Sequence, residues 1–193
     1  DYMTGIFNCG LTFDRCRYSD AALIAATKPI LLGTIVRLAD STNCESCHSS
    51  LVVDGGPLQI TSVRFDNSIS GEILHKIGRT SGWTYGNVEK PCEDGHIPFW
   101  PDDKTLCSDR VDFNVEGGDS GAPAFKVKAN GTVELRGIVW GHHPVYSDGY
   151  LSPMWAVRQE LGYFGTTIPV SRLLALLGRR KHPVWAFNAR GKP

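Results

Sequence analysis

The run Gly117-Gly118-Asp119-Ser120-Gly121 sets a hydroxyl where chemistry could use it. A serine nucleophile needs its Oγ presented on a tight turn, with backbone N–H groups aimed at the oxyanion that develops on attack. Gly118 lets the chain turn with its N–H toward the reacting centre, and Gly121 lets the backbone pass closely behind. Ala122-Pro123-Ala124-Phe125 then returns the chain into a strand. A Gly-Asp-Ser-Gly turn also joins strands in β proteins that do no chemistry, so these five residues alone are balanced between the two readings.

Other constellations are weaker. Cys44-Glu45-Ser46-Cys47-His48 matches the C-x-x-C-H pattern of haem attachment, with two thioether links and His48 as an axial ligand. It lies between β-like runs, and Met3 and Met154 are the only methionines available as a sixth ligand, so a local disulfide is the better expectation. Cys44, Cys47 and His48 find no second pair with zinc-site spacing. Asp102-Asp103 and the Glu116/Asp119 pair lack the ordered oxygen ligands of a calcium loop and read as surface charge. Neither a metal nor an organic cofactor is expected.

Six cysteines fall into sequence-adjacent pairs, Cys9/Cys16, Cys44/Cys47 and Cys92/Cys107. Fifteen connectivities are open to six cysteines, and pairing of neighbours is the simplest. Each such bridge closes a short loop and restricts the unfolded chain by about 2–3 kcal/mol in the entropy model. This implies an oxidising compartment and suits a secreted protein. The sequon Asn130-Gly131-Thr132 is compatible with secretion, but Asn-Gly between apolar runs is first of all a hairpin turn.

With 20 Lys+Arg against 20 Asp+Glu in 193 residues, the formal charge is zero. That balance gives no reason to expect nucleic acid or an anionic membrane as a partner. The basic cluster Arg179-Arg180-Lys181, continued by Arg190 and Lys192, reads as a solvated tail. No apolar run approaches the roughly 20 residues of a membrane span. The sequence opens on Asp1 without a basic start and apolar leader, as expected of a processed or a trimmed chain.

The elements that must position Ser120 are short β runs separated by Gly, Pro, Asp and Asn; 21 glycines and 11 prolines fit that turn-dense style. Strands are predicted over Leu31 to Leu38, Leu58 to Phe65 and Gly71 to Ile77. Ala124 to Val127 and Val133 to Trp140 make a hairpin about Asn130-Gly131. Helical signal is confined to the last third: Trp155 to Leu161, ended by Gly162, and Pro169 to Leu177, opened by Pro169 and stopped by Gly178.

Four stretches, in order, resemble the chymotrypsin-like (trypsin-type) serine peptidases, particularly the secreted microbial branch. Cys16-Arg17-Tyr18-Ser19-Asp20-Ala21-Ala22-Leu23 resembles the segment bearing that family's catalytic aspartate. Lys76-Ile77-Gly78-Arg79-Thr80-Ser81-Gly82-Trp83-Thr84-Tyr85-Gly86 is similar to the strand and turn that open its second barrel. Gly118-Asp119-Ser120-Gly121 matches the nucleophile turn. Gly137-Ile138-Val139-Trp140-Gly141 is similar to the strand that pairs with substrate and walls the specificity pocket. The resemblance spans residues from about 9 to 162.

The resemblance implies an all-β fold, a chymotrypsin-like antiparallel double β-barrel with its first barrel incomplete in this chain, and a short C-terminal helix. Residues 1–38 would end the first barrel and carry the aspartate. Residues 39–178 would form the second barrel and the helix, and 179–193 a basic irregular tail. Ser120 would be the acylated nucleophile, with the N–H groups of Gly118 and Ser120 as the oxyanion hole, and Asp20 would orient a general-base histidine. Without that context Asp20 would read as a loop carboxylate beside Arg17. Asn114 would lie at the floor of the primary pocket, where a neutral residue argues against selection of Lys or Arg; Asp112 nearby leaves that selection open. Val139, Trp140 and Gly141 would hold an extended peptide or protein substrate. In many members the residue at Asp119 pairs with a freshly made amino terminus.

The histidine is where the sequence departs from the pattern. It should precede the aspartate, yet His48, His75, His96, His142, His143 and His182 all follow Asp20. His142 and His143 would sit near the specificity pocket as loop histidines, or shape a preference for acidic substrates. Two expectations follow. A complementary N-terminal chain would supply the histidine and cover the open edge of half a barrel. Alternatively, the protein is a catalytically inactive homologue that binds proteins. Retention of both Ser120 and Asp20 favours the first.

Overall fold

The computed structural model describes residues 2–3, 7–9, 15–25, 33–43, 47–97, 100–143, 148–162 and 185–187. The elements are β1 (Tyr2–Met3), β2 (Phe7–Asn8), β3 (Arg15–Arg17), β4 (Ala22–Ala25), β5 (Thr34–Ile35), β6 (Leu58–Val63), β7 (Ile73–Gly78), β8 (Gly82–Ile97), β9 (Trp100–Val111), β10 (Pro123–Val127), β11 (Val133–His142), β12 (Gly149–Pro153), helix α1 (Met154–Leu161) and β13 (Trp185–Phe187). The described fold is thus all-β with one short helix, as expected.

A ring of antiparallel pairings organises it. β7 pairs with β8, β8 with β9, β9 with β12, β12 with β11, β11 with β10, and β10 returns to β7. The ring is uneven, because the β8–β9 ladder shifts register four times. Its lining follows from strand alternation: Leu74, Val88, Val111, Phe113, Val115, Ala122, Ala124, Val139 and Leu151 form one buried cluster drawn from around the ring. The opposite face of β7 and β10 sends Ile77 and Phe125 into a second cluster, covered by Ile35, Leu38 and Leu58.

The N-terminal part is attached to the outside of this ring. β3 runs parallel to β9, and β2 pairs with β3. β1, β4 and β13 form a separate three-stranded sheet. β13 therefore places a strand inside the 179–193 segment expected to be an irregular tail; Trp185-Ala186-Phe187 is apolar enough to pair with Leu23-Ile24-Ala25. The disulfides Cys9–Cys16 and Cys92–Cys107 join the expected neighbours. Cys47 is also disulfide-bonded, while its expected partner Cys44 lies outside the described residues.

Several sequence expectations change in detail. Leu31 to Leu38 contributes only β5 and an isolated bridge from Leu38 to Val53 among the described residues. The helix over Pro169 to Leu177 lies outside them. The hairpin at Asn130-Gly131 forms, with Gly131 at φ 77° and its N–H donating to the Lys128 carbonyl. The long β8–β9 ribbon was hidden by Pro91, the acidic residues and two cysteines. Cys92 and Cys107 adopt left-handed backbone (φ 60° and 57°), and the ladder takes up these irregularities as bulges.

Candidate functional site

Ser120 is exposed at the tip of the turn leading into β10. The C-terminal end of that turn is stitched to β11: the Gly121 N–H donates to the Val139 carbonyl at 2.7 Å, and the Val139 N–H to the Ala122 carbonyl at 2.9 Å. Within the turn, the Asp119 N–H donates to the Glu116 carbonyl at 2.9 Å. The Ser120 hydroxyl donates to the Trp140 carbonyl at 3.3 Å, so the two residues expected at the nucleophile and substrate-pairing strand are brought together.

Asp119 is not surface charge, as expected from the sequence, but a buried anchor. Its Oδ1 accepts from the Thr80 N–H (2.7 Å) and the Ser81 N–H (3.2 Å); its Oδ2 accepts from the Lys76 ammonium (2.9 Å), the Ser81 hydroxyl and the Glu116 N–H. The Lys76 and Asp119 side chains have no exposure. Burial pushes the Asp119 carboxyl up, but the Ser81 hydroxyl, Lys76 charge and Thr80 N–H together hold it below its ordinary value. Burial pulls the Lys76 ammonium down against the attraction of Asp119. Asp119 thus takes the ammonium of Lys76, on β7, as its cationic partner.

Two glycines make this packing possible. Gly118 has φ 105°, and a Cβ there would run into the Arg79 guanidinium and the Thr80 hydroxyl. At Gly78 a Cβ would collide with the Asp119 carboxyl. Among the described residues, neither the Gly118 N–H nor the Ser120 N–H donates a hydrogen bond. Both donors flank the exposed hydroxyl and are free to donate to an anionic oxygen.

Asp20 sits beside β12. Its N–H donates to the Ser152 hydroxyl at 3.0 Å, and its Oδ1 accepts from Arg17 Nη1 at 3.0 Å. The carboxylate is 16% exposed, and Ala21 packs with Leu135, Ile138, Met154 and Val157. Ser152 pairs with Ile138, two residues before Trp140. Asp20 and Ser120 are therefore anchored to the neighbouring strands β12 and β11, with no direct bond between them.

The residues expected at the primary pocket divide. Asn114 is buried, and its side-chain amide donates to the Cys47 carbonyl at 2.9 Å. Asp112 is committed to Asn87, whose amide N–H it accepts. Trp140 is buried, donates from Nε1 to Ser108 at 3.2 Å, and stacks on Tyr150 at 5.2 Å between ring centroids. A bulge between Val139 and Gly141 sets Trp140 apart from the regular β11–β12 ladder.

No described histidine side chain bonds Ser120 or Asp20. His48 is exposed and lies 2.9 Å from a Glu116 carboxylate oxygen, with Nδ1 3.4 Å from the Thr80 carbonyl. His75 accepts a bond from the Trp83 indole at 3.1 Å and packs among Trp83, Tyr85 and Phe125; burial lowers its imidazole to about 4. His142 is exposed at the end of β11, and the His143 N–H donates to the Asp148 carbonyl at 2.8 Å. The sequence pattern places Lys76, Thr80 and Ser81 in a strand and turn and announces no role for their side chains. A lysine alternating inward with Leu74 in β7 was the available signal, because a buried ammonium requires a counter-charge.

No family model matches the sequence, and no curated protein matches it. Solved structures similar in fold include a glutamic acid specific serine protease described as using a histidine triad in substrate binding (21% identity, 56% of this chain and 55% of that one, TM-score 0.47). Thermobifida fusca Protease A matches at 19% identity over 56% of this chain and 55% of its own (TM-score 0.46). Nocardiopsis Protease matches at 14% identity over 82% and 94% (TM-score 0.45). The matched region thus covers little more than half of the first two. What this chain shares with these chymotrypsin-like bacterial serine proteases is a partial likeness of fold.

Proposed function

We propose that the chain carries the nucleophile and the triad carboxylate of a serine endopeptidase. The observation that carries this reading is the nucleophile turn itself: an exposed Ser120 hydroxyl, two free N–H groups beside it, and a buried Lys76–Asp119 pair holding the backbone in that shape. Ser120 Oγ attacks a peptide carbonyl as a base takes its proton. The tetrahedral oxyanion is held by the N–H groups of Gly118 and Ser120. The base returns the proton to the leaving amine, and water then releases the acyl group from Ser120.

That base is a histidine supplied from outside these 193 residues, on a complementary N-terminal chain. Asp20 orients it; Arg17 occupies Oδ1, and no described group bonds Oδ2. Trp140 and Gly141 align substrate in an extended pose, with Val139 holding this strand to the Ser120 turn. Asn114 with its amide directed at Cys47, and Asp112 with its carboxylate directed at Asn87, favour a primary pocket without a fixed negative charge. The disulfides suit an oxidising, extracellular setting.

The test is hydrolysis of a peptide panel varied at the residue before the scissile bond, by full-length protein and its Ser120→Ala variant. Loss of turnover in the variant supports the reading; equal turnover sinks it. A second reading, an inactive homologue that binds proteins, draws on the hydroxyl of Ser120 donating to the Trp140 carbonyl instead of to a histidine. It predicts binding of extended peptides with no cleavage by either form.

A further inference from the structure

We infer that Glu160, on α1, is a positioning residue for Asp20, its carboxylate pinning the turn that presents Asp20 to the triad. The inference deepens the proposed function and rests on the reading of Asp20 given there. Glu160 Oε1 accepts from the Tyr18 N–H at 2.5 Å. Its Oε2 accepts from the Ser19 N–H at 3.1 Å and the Ser19 hydroxyl at 2.7 Å. These bonds join positions 142 and 141 residues apart in sequence.

The chemistry of the contact is specific to a carboxylate. Tyr18, Ser19 and Asp20 follow directly on β3, and a buried N–H requires an acceptor. The first two N–H groups go to Glu160 and the third to the Ser152 hydroxyl. Ser19 and Ser152 are fully buried, so water does not compete at these points. A carboxylate supplies two acceptor atoms and no donor, which matches three converging donors; a carboxamide would turn an NH₂ toward one of them.

Helix α1 is itself held against the barrel. Met154, Ala156 and Val157 are buried, and Tyr18 meets Trp155 edge-on at 6.0 Å. Glu160 thereby ties the N-terminal segment to the same body that carries Ser120. Burial raises the Glu160 carboxyl above its ordinary value, against the pull of Ser19, Tyr18 and Arg17. Its charged form is held there at a desolvation cost that an exposed glutamate would not carry.

The test compares full-length wild-type protein with Glu160→Gln and Ser19→Ala, reading kcat and KM on a peptide substrate and amide hydrogen exchange at Tyr18 and Ser19. In Glu160→Gln, exchange at both amides accelerates about tenfold or more. kcat falls about 10- to 100-fold, as for a small misplacement of a catalytic group, while KM stays within about twofold. Glu160→Asp recovers part of kcat. Should Glu160→Gln fail to fold, Ser19→Ala, which removes one bond of three, serves in its place and lowers kcat about threefold or more. Faster exchange with unchanged kcat, or unchanged exchange, overturns the inference. A wild-type protein without turnover removes the proposed function, and with it this role for Glu160; amide exchange then reports only a structural tether.

Discussion

The ammonium of Lys76 lies 2.9 Å from Oδ2 of Asp119, and both side chains are wholly buried one residue away from the exposed hydroxyl of Ser120. The pair links β7 to the turn that bears Ser120 through a contact that solvent neither screens nor replaces. Desolvation of both charges is costly, so the pair is weak evidence for net stability but a strong constraint on shape. Lys76→Met leaves the Asp119 carboxylate buried without its cation. We expect a loss of about 3–5 kcal/mol in denaturant unfolding. Lys76→Met/Asp119→Leu recovers part of that loss while leaving the turn unanchored. Equal stability of Lys76→Met and wild type would contradict the burial of the pair.

Gly117 and Gly118 make an internal control. A Cβ at Gly118 meets Arg79 and Thr80 on left-handed backbone, whereas at Gly117 it meets nothing within 4 Å. Gly118→Ala should cost about 1–3 kcal/mol from backbone strain. It should also lower kcat about 100-fold by displacing an oxyanion donor. Gly117→Ala should change kcat less than about threefold. Parallel kinetics on the two variants decide this, and equal effects would place the free N–H groups outside the reaction.

His75 sets an acid limb on stability. Its imidazole is lowered from 6.5 to about 4 by burial, and the Trp83 indole donates to the nitrogen that a proton would occupy. A histidine with a depressed folded value contributes stability that is complete above about pH 6.5 and is lost as pH falls toward 4, because the unfolded chain takes up the proton first. The contribution is at most about 3 kcal/mol. Urea unfolding between pH 4 and 7 should show this slope, and His75→Gln should flatten it. An unchanged slope in the variant assigns the acid sensitivity elsewhere.

The sequence made the tight turn at Gly117 to Gly121, the hairpin at Asn130-Gly131 and two disulfides legible, because each is a local signal within a few residues. The ring closure was not, since β12 joins β9 and β11 through pairings that no local pattern encodes. Asp119 looked like surface charge because its partners, Lys76, Thr80 and Ser81, lie about 40 residues upstream. Asn114 is expected at a pocket floor from its position before Ser120, and what residue types do not announce is the bond from its side-chain amide to the Cys47 carbonyl, 67 positions away. Long-range polar satisfaction is a property of the folded chain, and residue types alone announce only that a partner is required.

The central claim, that Ser120 is an activated nucleophile, is tested most directly by intact-mass spectrometry and peptide mapping after reaction of the full-length protein with a fluorophosphonate serine probe. The account predicts a single adduct on Ser120, absent from Ser120→Ala, in material that also contains a histidine-bearing N-terminal chain. No adduct under conditions that label trypsin, or an adduct that persists in Ser120→Ala, would contradict it.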